Sequence, residues 1–169
     1  MSIQRTSAGF YVANSATIVG DVLIAAECSI WFNVVIRGDV APIRIGHRVN
    51  VQDATIIHVD TGVSNVIEDD VSIGHRAIVH GKRIGCGSLI GMGAIVLSGS
   101  TIGEACLIAA GSVVSPNASI PDRSVVMGVP GKVVRQVTEK DLAYMRMISG
   151  AYLDLAVKHA EGKFPPIRT

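Results

Sequence analysis

The stretch Ile73-Gly74-His75-Arg76-Ala77-Ile78-Val79-His80-Gly81 places aliphatic residues at positions 73 and 79, six apart, and puts a histidine in each of two successive units. Working outward, Ile67 lies six residues upstream, and a step of five leads downstream to Ile84. From there Ile90, Val96, Ile102, Ile108, Val114, Ile120 and Val126 keep a spacing of six. Upstream, a step of ten separates Ile57 from Ile67, and Val51 and Ile45 return to six. A step of nine then reaches Ile36, followed at six by Ile30, Ile24, Ile18 and Val12.

The fifth residue of these units is small or β-branched, as at Cys28, Val34, Val49, Ala77, Ser88, Ala94, Cys106 and Ser112. A period of six with two inward positions matches neither a helix nor an alternating strand. It matches a parallel β-helix of short strands and turns. Three units make a triangular coil of about 18 residues, and coils stack ~4.8 Å apart. Glycines after the aliphatic position, such as Gly74, Gly85 and Gly91, suggest turns that need permissive backbone. The long steps at 37–44 and 58–66 read as loops bulging from corners, where binding groups are often carried.

The spacing predicts three segments: a lead-in over 1–11, the repeat solenoid over 12–131, and a helical segment with tail over 132–169. Thr138-Glu139-Lys140-Asp141 has the form of a capping box with aspartate in third place. Leu142, Met145, Ile148, Tyr152, Leu155 and Ala156 then recur at helical spacing, predicting an inward apolar stripe. Ser149-Gly150 is a possible break into two helices, and Pro165-Pro166 ends the pattern. The fold class is all-β with one C-terminal α-helix packed along the solenoid.

Composition excludes several functions. The chain has 169 residues, with 15 Lys and Arg against 14 Asp and Glu, which gives no field to attract nucleic acid. No apolar run approaches the roughly 18 residues of a membrane span, and the N-terminus has no signal-like stretch, so a cytoplasmic protein is expected. Three cysteines, none in a CxxC motif, suggest neither a disulfide framework nor a zinc knot. Cys28 and Cys106 fall on the inward position and are expected in the core, whereas Cys86 occupies a variable one.

Register also places the histidines. His58 and His80 are each second in their units and three units apart, so they share a face one coil apart, with Arg37 below them. Their Cα atoms are then ~4.8 Å from each other, a spacing that suits a shared metal. His75 is third in its unit and projects from a neighbouring face. A second chain packed alongside could bring its own His75 to the pair, and three such chains close a ring, so the spacing predicts a homotrimer. His47 and His159 match nothing and are expected at the surface.

Arg37-Gly38-Asp39, Asn50-Val51-Gln52-Asp53, His58, Gly74-His75, His80-Gly81 and Gly128-Val129-Pro130 together resemble the gamma-class carbonic anhydrases and their relatives. The resemblance spans about Val12 to Leu155 and implies the left-handed form of the β-helix. It implies that His58, His75 and His80 bind a divalent metal, Zn2+ or else Fe2+ or Co2+, with one ligand from an adjacent subunit. It places Gln52 beside the reacting water, and Arg37 and Asp39 in a polar interface network. Tyr152 falls in a catalytic position, although the helix spacing also allows plain packing. Asn50 and Asp53 match positions behind the ligands, and Gln52 and Asp53 are candidates to accept the outer imidazole N–H. The implied reaction is reversible hydration of carbon dioxide to bicarbonate.

Two departures stand out: the segment 58–75 lacks a long acidic loop, and Ala151 precedes Tyr152 where the family has asparagine. Alternatives on the same scaffold are an acyltransferase or thioesterase acting on a coenzyme A ester, or a metal-binding trimer without catalysis.

Overall fold

The computed structural model describes residues 2–165. It is a triangular parallel β-helix with one long helix against a face. The repeat register read from the sequence is the register of the strand pairing. On the first face Val12, Ile30, Val51, Ile73, Ile90, Ile108 and Val126 stack in one inward column. Ile18, Ile36, Ile57, Val79, Val96 and Val114 stack on the second. Ile24, Ile45, Ile67, Ile84, Ile102 and Ile120 stack on the third. The fifth-position residues Cys28, Val34, Val49, Val71, Ala77, Ala94 and Cys106 fill the corners of the same core and are fully buried. Burial pushes the Cys28 thiol up to about 11, so it behaves as a small apolar group.

Both ends of the stack turn back on themselves. Ile3–Arg5 pairs antiparallel with Tyr11–Ala13 at one end. Lys132–Gln136 pairs antiparallel with Ser124–Met127 at the other, so this part of the C-terminal segment belongs to the sheet. These hairpins occupy edges that a solenoid otherwise leaves open to further strands.

Two expectations about the solenoid are corrected. The nine-residue step is no bulging loop. Val35–Ile45 is one continuous strand that turns the corner and joins the second and third faces into a single 10-stranded sheet. Ala41 and Ile43 within it are buried in the core. The glycines after the aliphatic position also differ from expectation. The left-handed backbone lies two residues further on and is carried mostly by other residues, including Glu27, Asn33, Arg48, Ala54, Asp70, Arg76 and Asn117. Gly74 and Gly91 are required by closeness instead. A Cβ on Gly91 would lie 2.5 Å from the Ala110 nitrogen of the next coil, and one on Gly74 2.7 Å from the Met92 nitrogen.

The helix, α1, runs unbroken over Glu139–Ala160. Thr138 accepts from the Asp141 N–H, and the Asp141 carboxylate accepts from the Thr138 N–H, the reciprocal cap predicted. The possible break at Ser149-Gly150 does not occur. One helical glycine costs about 1 kcal/mol, less than a capped helix gains by packing on the first face. The helix ends at Ala160, ahead of Pro165, and Pro166 lies outside the described residues. Met145 and Ala156 are buried, whereas Leu155 faces outward, contrary to the predicted stripe. Trp31 anchors the C-terminal half, with Tyr152 edge-on at 5.3 Å and His159 at 5.5 Å. His159 is therefore part of an aromatic cluster with Phe32 and Phe164 and not the surface residue expected.

Two substitutions test this packing. Ile90→Asp puts an unpaired charge in the aliphatic column and should cost several kcal/mol, read as a large fall in melting temperature. Gly91→Ala should cost about 1–3 kcal/mol through overpacking. Gly93→Asn, at a left-handed corner with open space around it, should cost clearly less. Equal losses at Gly91 and Gly93 would contradict the distinction.

Candidate metal centre

His58 and His80 lie on the second face, in register with Arg37 beneath them. His58 Nδ1 and His80 Nε2 approach to 3.0 Å. The other nitrogen of each ring is turned to an oxygen. His58 Nε2 is 3.2 Å from Asp39 Oδ1, and His80 Nδ1 is 3.1 Å from Ser98 Oγ and 3.7 Å from Asp60 Oδ1. Arg37 pairs with Asp39, and its hydrogen bond, with His58 adding to it, holds the Asp39 carboxyl below the ordinary carboxylate range. Asp39 is thus an acceptor only, so His58 Nε2 carries the proton and Nδ1 the lone pair. Ser98 Oγ also lies within hydrogen-bond distance of Asp60, at 3.3 Å.

His75 follows the first-face strand Ser72–Ile73, in a different sheet from the pair. Its Nδ1 is 2.8 Å from Asp53 Oδ2 and its Nε2 2.9 Å from the Tyr152 hydroxyl. Burial, and then the charge of Asp53, push the Tyr152 phenol above its usual value. The phenol therefore stays protonated and donates to His75 Nε2, while Nδ1–H donates to Asp53. Asp53 is thus the acceptor that the sequence suggested. Gln52 is buried and its hydrogen bonds go to groups other than the imidazoles: its Oε1 accepts from the His75 backbone N–H at 3.2 Å, and its Nε2 donates to Asn50. Asn50 in turn donates to Ser72.

The chain brings His58 and His80 together with Arg37 and Asp39, and separately His75 with Gln52, Asp53 and Tyr152. Among the described residues no three His, Cys, Asp or Glu side chains meet in one metal-holding cluster. Sequence reasoning missed Ser98 and Asp60. Ser98 lies one residue past Leu97, the position opposite His80 one coil on, and Asp60 belongs to the ten-residue step. The acidic residues at 68–70, within the segment that lacks the long acidic loop, are held in local contacts: Glu68 with Arg83, Asp69 with the His47 N–H, Asp70 with Arg48.

The donor set fits a divalent metal. Each imidazole has one nitrogen tied to an oxygen, the arrangement that orients metal-binding histidines. His58 Nδ1 and His80 Nε2 are left without an oxygen partner, whereas His75 Nε2, which accepts from the Tyr152 hydroxyl, would have to exchange that donor for the metal. The outward column Val35, Ile56, Ile78, Ile95 and Val113 runs along the second face beside the pair. No helix covers it, and Ile56 is exposed. Against the other two faces, covered by α1 or lined by ion pairs such as Arg44–Asp21 and Arg83–Glu68, it is the apolar one.

The strand register defines a hexapeptide-repeat β-helix protein, and the comparisons agree with that fold. The family described as bacterial transferase hexapeptide (six repeats) matches residues 81–116. A carbonic anhydrase of Geobacillus kaustophilus is 47% identical over 150 residues, covering 89% of this chain and 82% of the relative. A probable carbonic anhydrase of Methanocaldococcus jannaschii is 49% identical over 145 residues, covering 86% and 91%. The solved structure of the Bacillus cereus BC4754 gene product superposes with a TM-score of 0.89 at 42% identity, covering 94% of this chain and 91% of that one. The chain belongs to the gamma-class carbonic anhydrase-like family of hexapeptide-repeat proteins. Among the described residues no helix is long and apolar enough to cross a membrane.

Tyr152→Phe keeps the ring on Trp31 and removes the hydroxyl that caps His75 Nε2. The variant should bind zinc at least as tightly as wild type in a chelator competition. A tenfold weaker affinity would mean that the hydroxyl supports the site.

Proposed function

We propose that the protein is a metal-dependent carbonic anhydrase that hydrates carbon dioxide reversibly, working as a homotrimer. Each His58–His80 pair is completed by His75 of the partner subunit, with Zn2+ as the ion and Fe2+ or Co2+ as substitutes that the same ligands accept. The observation that carries this reading is the geometry of the pair. Nitrogens without an oxygen partner face each other at 3.0 Å, while His75 stands on another face. Two facing lone pairs repel unless a cation lies between them, and among the described residues no third ligand of the chain meets the pair. The exposed apolar column beside the pair supports burial against a second copy. The names of the Geobacillus and Methanocaldococcus relatives support carbon dioxide and bicarbonate as substrates, whereas the Bacillus cereus structure is named an acetyltransferase.

A bound divalent metal supplies Lewis acidity that makes water a nucleophile near neutral pH. The chain's own groups do the rest. Asp39 and Asp53 fix the His58 and His75 rings by accepting their outer protons, and Arg37 keeps Asp39 ionised. Gln52 holds the backbone of His75 and so sets where that ring enters the neighbouring site. Tyr152 keeps a donor hydroxyl at the same ring. A coenzyme A acyltransferase would instead need one histidine with a free nitrogen as general base.

Stopped-flow hydration of carbon dioxide by metal-loaded protein tests the proposal. The rate should require metal and rise with pH to a midpoint of about 7. Added imidazole buffer should raise it further, since the acidic side chains at 68–70 are held in other contacts and an external base can carry the proton. Gln52→Ala, which frees the His75 backbone, should lower the rate and weaken metal binding, and His80→Ala should abolish both. Metal-replete protein without hydration above buffer at any pH would refute the activity. Turnover of a coenzyme A thioester by metal-free protein would favour the transferase reading.

A further inference from the structure

We infer that Ser98 and Asp60 are positioning residues for His80, which together set the ring nitrogen that stays free for metal. The inference rests on the three-histidine reading above, but neither residue belongs to the motifs that carry the family resemblance.

A carboxylate accepts hydrogen bonds and cannot donate them. Between Ser98 Oγ and Asp60 Oδ1, 3.3 Å apart, the serine hydroxyl is therefore the donor. That commits its single proton. Toward His80 Nδ1, 3.1 Å away, Ser98 Oγ can then only accept. His80 thus carries its proton on Nδ1, and Nε2 keeps the lone pair that faces His58. Asp60 Oδ1, 3.7 Å from the same Nδ1, is too far for a hydrogen bond but adds attraction for the N–H.

The alternative tautomer shows what the pair prevents. With its proton on Nε2, His80 would donate to His58 Nδ1 and seal the two nitrogens in an N–H···N bond. The site would close on itself, and a metal would first have to break that bond. Asp39 already fixes His58 with its lone pair on Nδ1. His58 therefore invites that donation, and His80 is the ring whose tautomer decides whether the site is open.

The fold explains how the two residues arrive there. Val79 pairs with Val96, so Leu97 lies opposite His80 and Ser98 just past it. Asp60 comes from the ten-residue step, 38 residues away in sequence from Ser98. Backbone bonds from Val63 N–H to Asp60 and from Gly62 N–H to Val40 hold that segment in place. The inserted residues thus deliver a carboxylate to a histidine one coil away.

Nitrogen NMR of metal-free protein labelled at histidine reads the tautomer directly, with His80 assigned by its loss in His80→Gln. Wild type should show the Nδ1–H form. Ser98→Ala should move His80 toward the Nε2–H form, and Ser98→Thr, which keeps the hydroxyl, should not. Zinc affinity by chelator competition should fall about 10- to 100-fold in Ser98→Ala and Asp60→Ala and recover in Ser98→Thr. A wild-type His80 protonated on Nε2 would overturn the inference, as would a Ser98→Ala protein that binds zinc as tightly as wild type. Wild type that binds no zinc would refute the three-histidine reading instead, and the tautomer would still decide this one.

Discussion

Backbone hydrogen bonds between successive coils set the position of every other group in this molecule. Each short strand pairs in register with the strand one coil away, so residues one coil apart in sequence become neighbours ~4.8 Å apart. The two long steps do not disturb this, because their extra residues are taken up at corners. From Ile57 the steps of ten, six and six lead to Val79, and that sum of 22 is the separation of His58 and His80. The steps of nine, six and six from Ile36 to Ile57 likewise place Arg37 beneath His58. A site built this way has its ligands on strand ends that the core holds rigid, which is where preorganisation is most easily kept.

What could be read from the sequence follows from the same constraint. The inward columns, the capping box and the pairing of His58 with His80 depend on spacing alone, and spacing is visible in one chain. The path of Val35–Ile45 was not visible, because an insertion looks the same whether it loops out or continues as a strand. Gly91 was visible as a glycine, but its cause was not: closeness to the next coil is a property of stacking. The helix passes through Gly150 because tertiary packing outweighs a local preference. His159 and Ser98 share a further reason. Each gains its partners from segments distant in sequence, Trp31 in one case and Asp60 in the other, and no local pattern marks either.

The three faces divide the work. Helix α1 covers the first and holds Tyr152 against His75, so the helix and one candidate ligand are coupled. Arginine–carboxylate pairs line the third. The second presents an apolar column next to two imidazoles whose inner nitrogens face each other, a surface unsuited to water and incomplete as a metal site. On the proposed reading both deficits are met by one event, the docking of a second copy that buries the column and supplies His75. Oligomerisation and metal binding would then be linked, each stabilising the other by mass action.

Native mass spectrometry of the zinc-loaded protein tests that linkage most directly, since it reads subunit number and bound ions in the same species. The account predicts a trimer carrying three zinc ions, and monomers, where present, carrying none. A monomer that retains a zinc ion, or a trimer that stays intact and metal-free when zinc is in excess, would contradict it.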